Sequence, residues 1–94
     1  HYKAFFKNSE YSFFDEPKNT KSNFWLNTIV CSDIDSRNNL LEKANSSGVM
    51  MRPVWTPMHK LPAFKNAPRG DLSNTMWFAS RLVNLPSSPI EVKL

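Results

Sequence analysis

The chain has 94 residues, of which 40% are hydrophobic, 13% are aromatic and 21% are charged, with a formal net charge of +4. This composition excludes a disordered tail, a collagen-like chain and a coiled coil. No uncharged apolar run approaches the ~18 residues of a membrane-spanning helix. The length predicts one small domain that buries only ~60–65% of its unfolded surface, so we expect marginal stability in isolation.

Cys31 is the single cysteine, so no disulfide can form within the chain. A lone thiol is typical of a reducing compartment, and we expect a cytoplasmic protein. The first residues read His-Tyr-Lys, with no initiator methionine and no apolar signal segment. We therefore expect the chain to begin inside a longer protein.

The first third of the chain predicts a helix end and two strands. In residues 1–8 three aromatic side chains have helical spacing and would share one face: Tyr2, Phe5 and Phe6. Residues 11–14 are short and aromatic, as is typical of a strand. Residues 24–31, FWLNTIVC, form the clearest strand, and their near-continuous apolar character predicts cover on most of both faces.

Residues 33–48 carry the signals of one helix. Asp33 or Asp35 can accept hydrogen bonds from the free amides of the first turn. A stripe at helical spacing follows, formed by Arg37, Leu40, Leu41 and Ala44. Gly48 is placed to end the helix in the left-handed conformation.

The second half predicts a short strand, a long loop, a helix and a last strand. Residues 49–55 read as an edge strand or one that ends early, because Pro53 cannot donate to a ladder. A long proline-rich loop follows to residue 72, and loops of this length are usually functional. The next helix would have Ser73 as N-cap and run to about Arg81, before an extended segment, residues 82–86, and a polar tail to Leu94.

Side-chain patterns in this half complete the predicted core. Met50, Met51 and Met76 read as core-filling side chains. One side of the last helix would carry Met76, Trp77 and Ser80, with Trp77 buried against the second strand or against a missing domain. Together the elements predict an α+β fold, with helices packed on a small antiparallel or mixed sheet.

The whole positive excess lies in residues 52–69, which contain four cations and no acid: Arg52, Lys60, Lys65 and Arg69. Such a segment is typical of a loop that meets a phosphate or an acidic partner. Solvated surface charges on a long loop give the same pattern, so charge alone leaves both interpretations open.

Composition leaves little room for a catalytic centre. One internal histidine and one cysteine do not make a four-ligand metal site, and two glycines cannot form a phosphate-binding loop. A Cys31–His59 pair is conceivable, but a cysteine that ends an apolar strand is usually a small buried side chain. A basic RNA-binding sheet is another alternative, yet its Lys/Arg-Gly-aromatic run is absent, and aromatics such as Trp25 fit a core.

Residues 52–64, RPVWTPMHKLPAF, resemble a loop of the DegT/DnrJ/EryC1/StrS family, the pyridoxal-phosphate-dependent nucleotide-sugar aminotransferases. The order and spacing of further segments agree with that family over about residues 1–88: NFWLN at 23–27, DSR at 35–37, LL at 40–41, SGV at 47–49 and LP at 85–86. The run VNLPSS at 83–88 is most similar to members that make amino sugars for legionaminic acid or bacillosamine-type pathways.

The resemblance implies that residues 1–94 are a single C-terminal small domain of a longer enzyme, with the small-domain fold of fold type I aminotransferases. The parent would use pyridoxal phosphate to aminate a keto nucleotide-sugar for cell-surface polysaccharide or lipopolysaccharide. The Schiff-base lysine would lie in an absent large domain. This chain would then contain no catalytic, cofactor-binding or metal-binding residue and would be inactive alone. A dehydratase of the same family is the alternative activity for the parent.

The resemblance also implies three substrate-binding residues, Arg52, Trp55 and His59. Arg52 would clamp a phosphate or carboxylate, or instead pair with a local acid. Trp55 would stack on a sugar or base, or instead be a core aromatic. His59 would hydrogen-bond substrate or a partner subunit, or instead bond the backbone.

The expected partners are a nucleotide-linked keto-hexose, an amino donor such as glutamate and a second subunit in a homodimer, with no nucleic acid and no membrane. A domain without its parent exposes apolar surface, so we also expect the chain to self-associate or to show an apolar patch. The alternative function is a non-enzymatic, basic α+β module that binds nucleic acid or an acidic partner.

Overall fold

The computed structural model describes residues 1–88, which form three α-helices, four short strands and two 3₁₀ turns. The helices are α1 (Tyr2–Phe6), α2 (Ile34–Ser46) and α3 (Ser73–Ala79), and the strands are β1 (Ser12–Phe13), β2 (Asn27–Val30), β3 (Arg52–Pro53) and β4 (Leu82–Leu85). The strands form one sheet in the order β1-β2-β4-β3, and every pairing is antiparallel. The predicted α+β class is confirmed. The end of the predicted polar tail, residues 89–94, lies outside the described residues.

The two central strands, β2 and β4, carry the core on one face. Ile29 pairs with Val83 in register, and both side chains are 0% exposed. Cys31 and Leu85 complete this buried cluster. Half-buried side chains from α1, β1, α2 and the segment before β3 pack against it: Tyr2, Phe6, Tyr11, Phe13, Leu40, Leu41 and Met51. One face of the sheet is therefore covered by α1 and α2.

The ends of α2 lie where the sequence predicts them. Asp33 is the N-cap, and its carboxylate accepts a hydrogen bond from the amide of Ser36 at 2.7 Å. At the other end Gly48 has a φ of +81°, and its amide donates to the carbonyl of Asn45 at 3.1 Å. A residue with a Cβ is strained at such a φ, so glycine suits this position.

The strand predicted for residues 24–31 is too long at its N-terminal end. The Asn23 side chain accepts a hydrogen bond from the amide of Trp25 at 3.0 Å, and Phe24 has a φ of +48°. The chain therefore turns before β2 instead of extending, because a local side-chain bond replaces the strand ladder. Trp25 is 66% exposed, so neither the predicted cover on both faces nor a core position for Trp25 is correct.

Strand β3 lies at the edge of the sheet, as the proline within it predicts. Pro53 pairs with Val83, and Arg52 pairs with Asn84. The strand predicted over residues 49–55 is too long, because only these two residues pair. Met51 packs on the core while Met50 is exposed, so the core-filling prediction for Met50 is wrong.

The short helix α1 presents only part of its predicted aromatic face to the core. Tyr2 and Phe6, four residues apart, pack against the buried cluster. Phe5 is 74% exposed, and its ring centroid lies 4.9 Å from that of Phe6 in an edge-to-face contact, so the prediction that all three aromatic side chains share one face is wrong for Phe5. The five-residue helix has one inward stripe, and position 5 falls outside it.

Helix α3 begins at Ser73 rather than after it, so the predicted N-cap is wrong. The carboxylate of Asp71 accepts hydrogen bonds from the hydroxyl and the amide of Ser73, at 2.9 and 3.0 Å, and these bonds lower its pKa. On the predicted inward side Met76 and Ser80 are half-buried, but Trp77 is exposed. The Cζ atom of Arg81 lies 4.2 Å from the centre of the Trp77 ring, so the two side chains form a cation–π contact.

None of the helices described in residues 1–88 is long and apolar enough to cross a membrane. Helix α2, the longest of them, has 13 residues. It packs on the sheet through Leu40, Leu41 and Ala44, as its sequence stripe predicts.

Candidate functional site

The sheet face opposite α1 and α2 is open and apolar. Two adjoining cavities of about 420 and 380 Å³ lie on it. They share four lining side chains, and we name this surface the open face: Phe14, Val54, Trp55 and Leu82. The predicted apolar patch is therefore present on the surface of the chain.

Trp55 belongs to the open face and is 74% exposed. The alternative interpretation of Trp55 as a core aromatic is wrong, because β3 ends at Pro53 and the chain beyond it leaves the sheet. Its indole meets that of Trp25 edge to face, with ring centroids 6.3 Å apart. Two segments that carry the family resemblance, residues 23–27 and 52–64, thus meet at this surface.

A polar pair lies within the open face. The Thr28 hydroxyl donates to Oδ1 of Asn84 at 2.7 Å, across the pairing of β2 with β4. Both residues line the 380 Å³ cavity, and within residues 1–88 the Asn84 Nδ2 group has no hydrogen-bond acceptor. An amide donor in an apolar wall fixes the orientation of a bound ring or sugar. Sequence reasoning missed this pair, and its signal was a Thr and an Asn in otherwise apolar strands.

Arg52 lies on the edge strand with an exposed side chain. Its Nη1 atom donates to Oδ1 of Asn45 at 2.7 Å and to the carbonyl of Met51 at 2.9 Å. The alternative pairing of Arg52 with a local acid is wrong, since the one ion pair among residues 1–88 joins Lys3 to Asp15. Its positive charge thus has no carboxylate partner in the described part of the chain.

His59 lies in the 3₁₀ turn Met58–Lys60 and is half-buried. It lines a third cavity, of about 360 Å³, which also contains Phe64, Arg69 and Leu72. Within the described ranges its imidazole makes no hydrogen bond, so the predicted structural bond to the backbone is not found there.

The three predicted substrate-binding residues do not share one cavity. Trp55 lies on the open face, His59 lines the 360 Å³ cavity, and Arg52 lines none of these three cavities. Arg52 is instead fixed at the junction of α2 and β3. The three residues therefore lie at three separate places rather than in one compact site.

A family model for DegT/DnrJ/EryC1/StrS aminotransferases matches residues 1–90. The chain belongs to this family. The matched range contains all seven helices and strands of the described structure, and the segments that meet at the open face. A search of curated proteins found no match.

The DegT/DnrJ/EryC1/StrS family is generally pyridoxal-phosphate-dependent, and none of the lysines in residues 1–88 is buried as a cofactor-binding lysine would be. A cofactor-binding lysine lies in a pocket, with an acidic residue near the pyridine nitrogen. Seven lysines are described here and all are exposed: Lys3, Lys7, Lys18, Lys21, Lys43, Lys60 and Lys65. None lines the open face, although Lys3 and Lys7 line a cavity at α1 and β1, and Lys21 lines another beside Asp15 and Glu16.

The thiol of Cys31 is buried in the core of this family member rather than placed in a site. Burial raises its pKa, so the neutral thiol prevails, and the charged groups that act on it are Arg37, Asp33 and Glu10. His59 lines a cavity that does not include Cys31, so the conceivable Cys31–His59 pair is not formed. Within residues 1–88, no group of three or more His, Cys, Asp or Glu side chains is placed to hold a metal ion.

Proposed function

We propose that this chain is the C-terminal small domain of a pyridoxal-phosphate-dependent aminotransferase that aminates a keto nucleotide-sugar. The family match over residues 1–90 carries the proposal, because it assigns the chain to an aminotransferase family. The pathway proposed is cytoplasmic amino-sugar synthesis for cell-surface polysaccharide. The subfamily proposed is the one that serves legionaminic acid or bacillosamine-type pathways, on the VNLPSS run at residues 83–88.

In this proposal the large domain supplies the cofactor and its lysine. The small domain closes over the active site and helps to hold a homodimer. Its open face supports this role, because contiguous exposed apolar surface is typical of a contact with another domain or subunit. Trp25, Trp55, Phe14 and Phe78 are all exposed there or at its rim.

The substrate contacts proposed are Arg52, Trp55 and His59. Arg52 carries a charge that no described acid compensates, and a guanidinium binds phosphate and carboxylate oxygens in a bidentate way. The exposed indole of Trp55 offers a flat apolar surface on which a base or sugar ring can stack. The ligands would be a nucleotide-linked keto-hexose and an amino donor such as glutamate.

The test is an absorption spectrum of the longest natural polypeptide that contains this chain, purified with pyridoxal phosphate. We expect a cofactor band that bleaches when glutamate is added. A bound cofactor that no amino donor alters would contradict the aminotransferase and favour a dehydratase. A protein that binds no cofactor would contradict both activities.

A further inference from the structure

Asn45 joins the end of α2 to the edge of the sheet. Its Nδ2 group donates to the carbonyls of Leu41, at 2.7 Å, and Met51, at 3.0 Å. Its Oδ1 atom accepts the Nη1 hydrogen bond from Arg52 at 2.7 Å. Both amide hydrogens and one oxygen lone pair are therefore used, which fixes the side chain to the helix and to the edge strand together.

This arrangement holds Arg52 at one end of its guanidinium. The two hydrogens of Nη1 go to Asn45 and to the Met51 carbonyl. The Nε and Nη2 groups have no acceptor among residues 1–88. These two groups form one edge with parallel N–H bonds, whose spacing matches two oxygens of a carboxylate or a phosphate.

The group that fixes Arg52 is neutral. An aspartate at position 45 could also accept from the guanidinium, but it would lose the two donations that fix the side chain and would cancel the charge of Arg52. An amide holds it and leaves the charge available, in a stretch, residues 52–69, that contains no acid. Asn45 lies in the last turn of α2, where the helix dipole favours a nearby cation.

We propose that Asn45 is a positioning residue that keeps the Nε–Nη2 edge of Arg52 ready for one oxyanion of the substrate. The inference rests on the proposed function for the source of the oxyanion, which is a phosphate of the nucleotide or the carboxylate of the amino donor. Holding a long side chain in place before binding reduces the entropy that binding costs. The amide thus contributes to affinity without touching the ligand.

The test measures anion binding to the full chain by NMR, through the Nε–H resonance of Arg52. Inorganic pyrophosphate represents the nucleotide and glutamate represents the donor, each compared with chloride at the same ionic strength. We expect a saturable shift with one of them. Asn45→Ala should weaken that binding by about three- to tenfold, the loss of roughly one hydrogen bond. A resonance that neither anion shifts, or undiminished binding by Asn45→Ala, would overturn the proposal.

Asn45→Asp keeps the size and the acceptor oxygen of the side chain but loses its two donations to the backbone. It separates positioning from general support of the fold because its new charge beside Arg52 makes anion binding depend on pH. At pH 7 it should lose more affinity than Asn45→Ala does, because the new carboxylate both pairs with Arg52 and repels the incoming anion. With sulfate as probe, whose charge is constant across the titration, binding should recover as the pH falls through the pKa of that carboxylate. Asn39→Asp, on an exposed position of the same helix, changes the net charge equally and should show neither effect.

Equal losses in the two aspartate variants would mean that net charge alone matters, and the positioning role would be wrong. The dispersion of the backbone amide resonances shows whether each variant folds. If Asn45→Ala does not fold, the comparison of Asn45→Asp with Asn39→Asp tests the positioning role by itself. The assay contains no cofactor and no transamination, so its failure leaves the proposed function intact. Equally, an unaltered cofactor band leaves the anion-binding result intact.

Discussion

The indole rings of Trp25 and Trp55 meet edge to face, 6.3 Å apart, and join the segment before β2 to the segment after β3. Both side chains are largely exposed, at 66% and 74%. Aromatic pairs of this kind contribute roughly 0.5–1.5 kcal/mol beyond the area they bury. That gain does not by itself explain why two tryptophans lie on the surface, whereas the proposed cover by another domain or subunit would explain it.

The first prediction is that the open face drives self-association of the full chain. Trp55→Glu should shift the chain toward the monomer in sedimentation velocity, because it places a charge in an apolar contact. Phe5→Glu is the matched control, since Phe5 is also 74% exposed but lies on α1. Equal effects of the two substitutions would show that the contact is not specific to the open face, and a monomeric unsubstituted chain would contradict the prediction.

The second prediction concerns the core pair of Ile29 and Val83. Ile29→Ala should lower the free energy of unfolding by about 2–5 kcal/mol, because the side chain is fully buried and leaves a cavity. A small domain has little stability to lose, so most molecules of this variant should be unfolded even without denaturant. Urea unfolding followed by circular dichroism measures this. Val49→Ala, at an exposed site, should change the free energy by less than about 0.5 kcal/mol.

Local signals in the sequence predicted the fold well where they agreed with the long-range packing. The cap at Asp33, the left-handed Gly48 and the edge position of Pro53 all follow from single-residue chemistry, and all three are confirmed. The limits of β2 and β3 were wrong because pairing depends on the neighbouring strand, β4. An apolar run such as FWL at residues 24–26 reads as a strand whether or not a partner is present.

The candidate site was less accessible to sequence reasoning than the fold. The motif at residues 52–64 pointed to Arg52, Trp55 and His59, but their separation into distinct surfaces depends on the path of the loop. Asn45 was missed because it acts through Arg52, seven residues away along the chain and across a turn. An asparagine near a helix end has many ordinary roles, so only the contact geometry shows this one.

The third prediction concerns Arg37, which ties α2 to α3. Its Nη1 atom donates to the carbonyl of Ala79 at 2.7 Å, at the C-terminal end of α3. Arg37→Ala removes a charge-assisted bond and should destabilise the chain by about 1–2 kcal/mol. Amide exchange should accelerate most at Ser80, whose N–H bonds the carbonyl of Met76. Arg69→Ala is the control and should leave exchange in α3 unchanged, since within residues 1–88 the Arg69 side chain makes no hydrogen bond.

The fourth prediction is a loss of stability at alkaline pH that depends on Cys31. Burial raises the pKa of this thiol, so the unfolded chain releases the proton at a lower pH than the folded chain does. Below the ordinary thiol pKa of about 8.5 the thiol is protonated in both states, and the chain keeps its full stability. As the pH rises from there toward the folded-state pKa, the unfolded chain loses the proton first and the free energy of unfolding falls. Urea unfolding at several pH values measures it. Cys31→Ala should remove this part of the decline, and an identical decline in both proteins would contradict it.

The last prediction separates the aminotransferase domain from a basic module that binds nucleic acid. We expect the full chain to bind a single-stranded oligonucleotide no more tightly than nonspecific binding, with a dissociation constant of about 10⁻⁴–10⁻⁶ M at physiological salt. The four cations of residues 52–69 limit the slope of log K against log salt to about −3. Lys60→Gln with Lys65→Gln should weaken this binding little more than Lys18→Gln with Lys21→Gln, a matched pair outside the segment. Tight binding that only the first pair abolishes would contradict the prediction, because it would place a specific nucleic-acid contact on the loop.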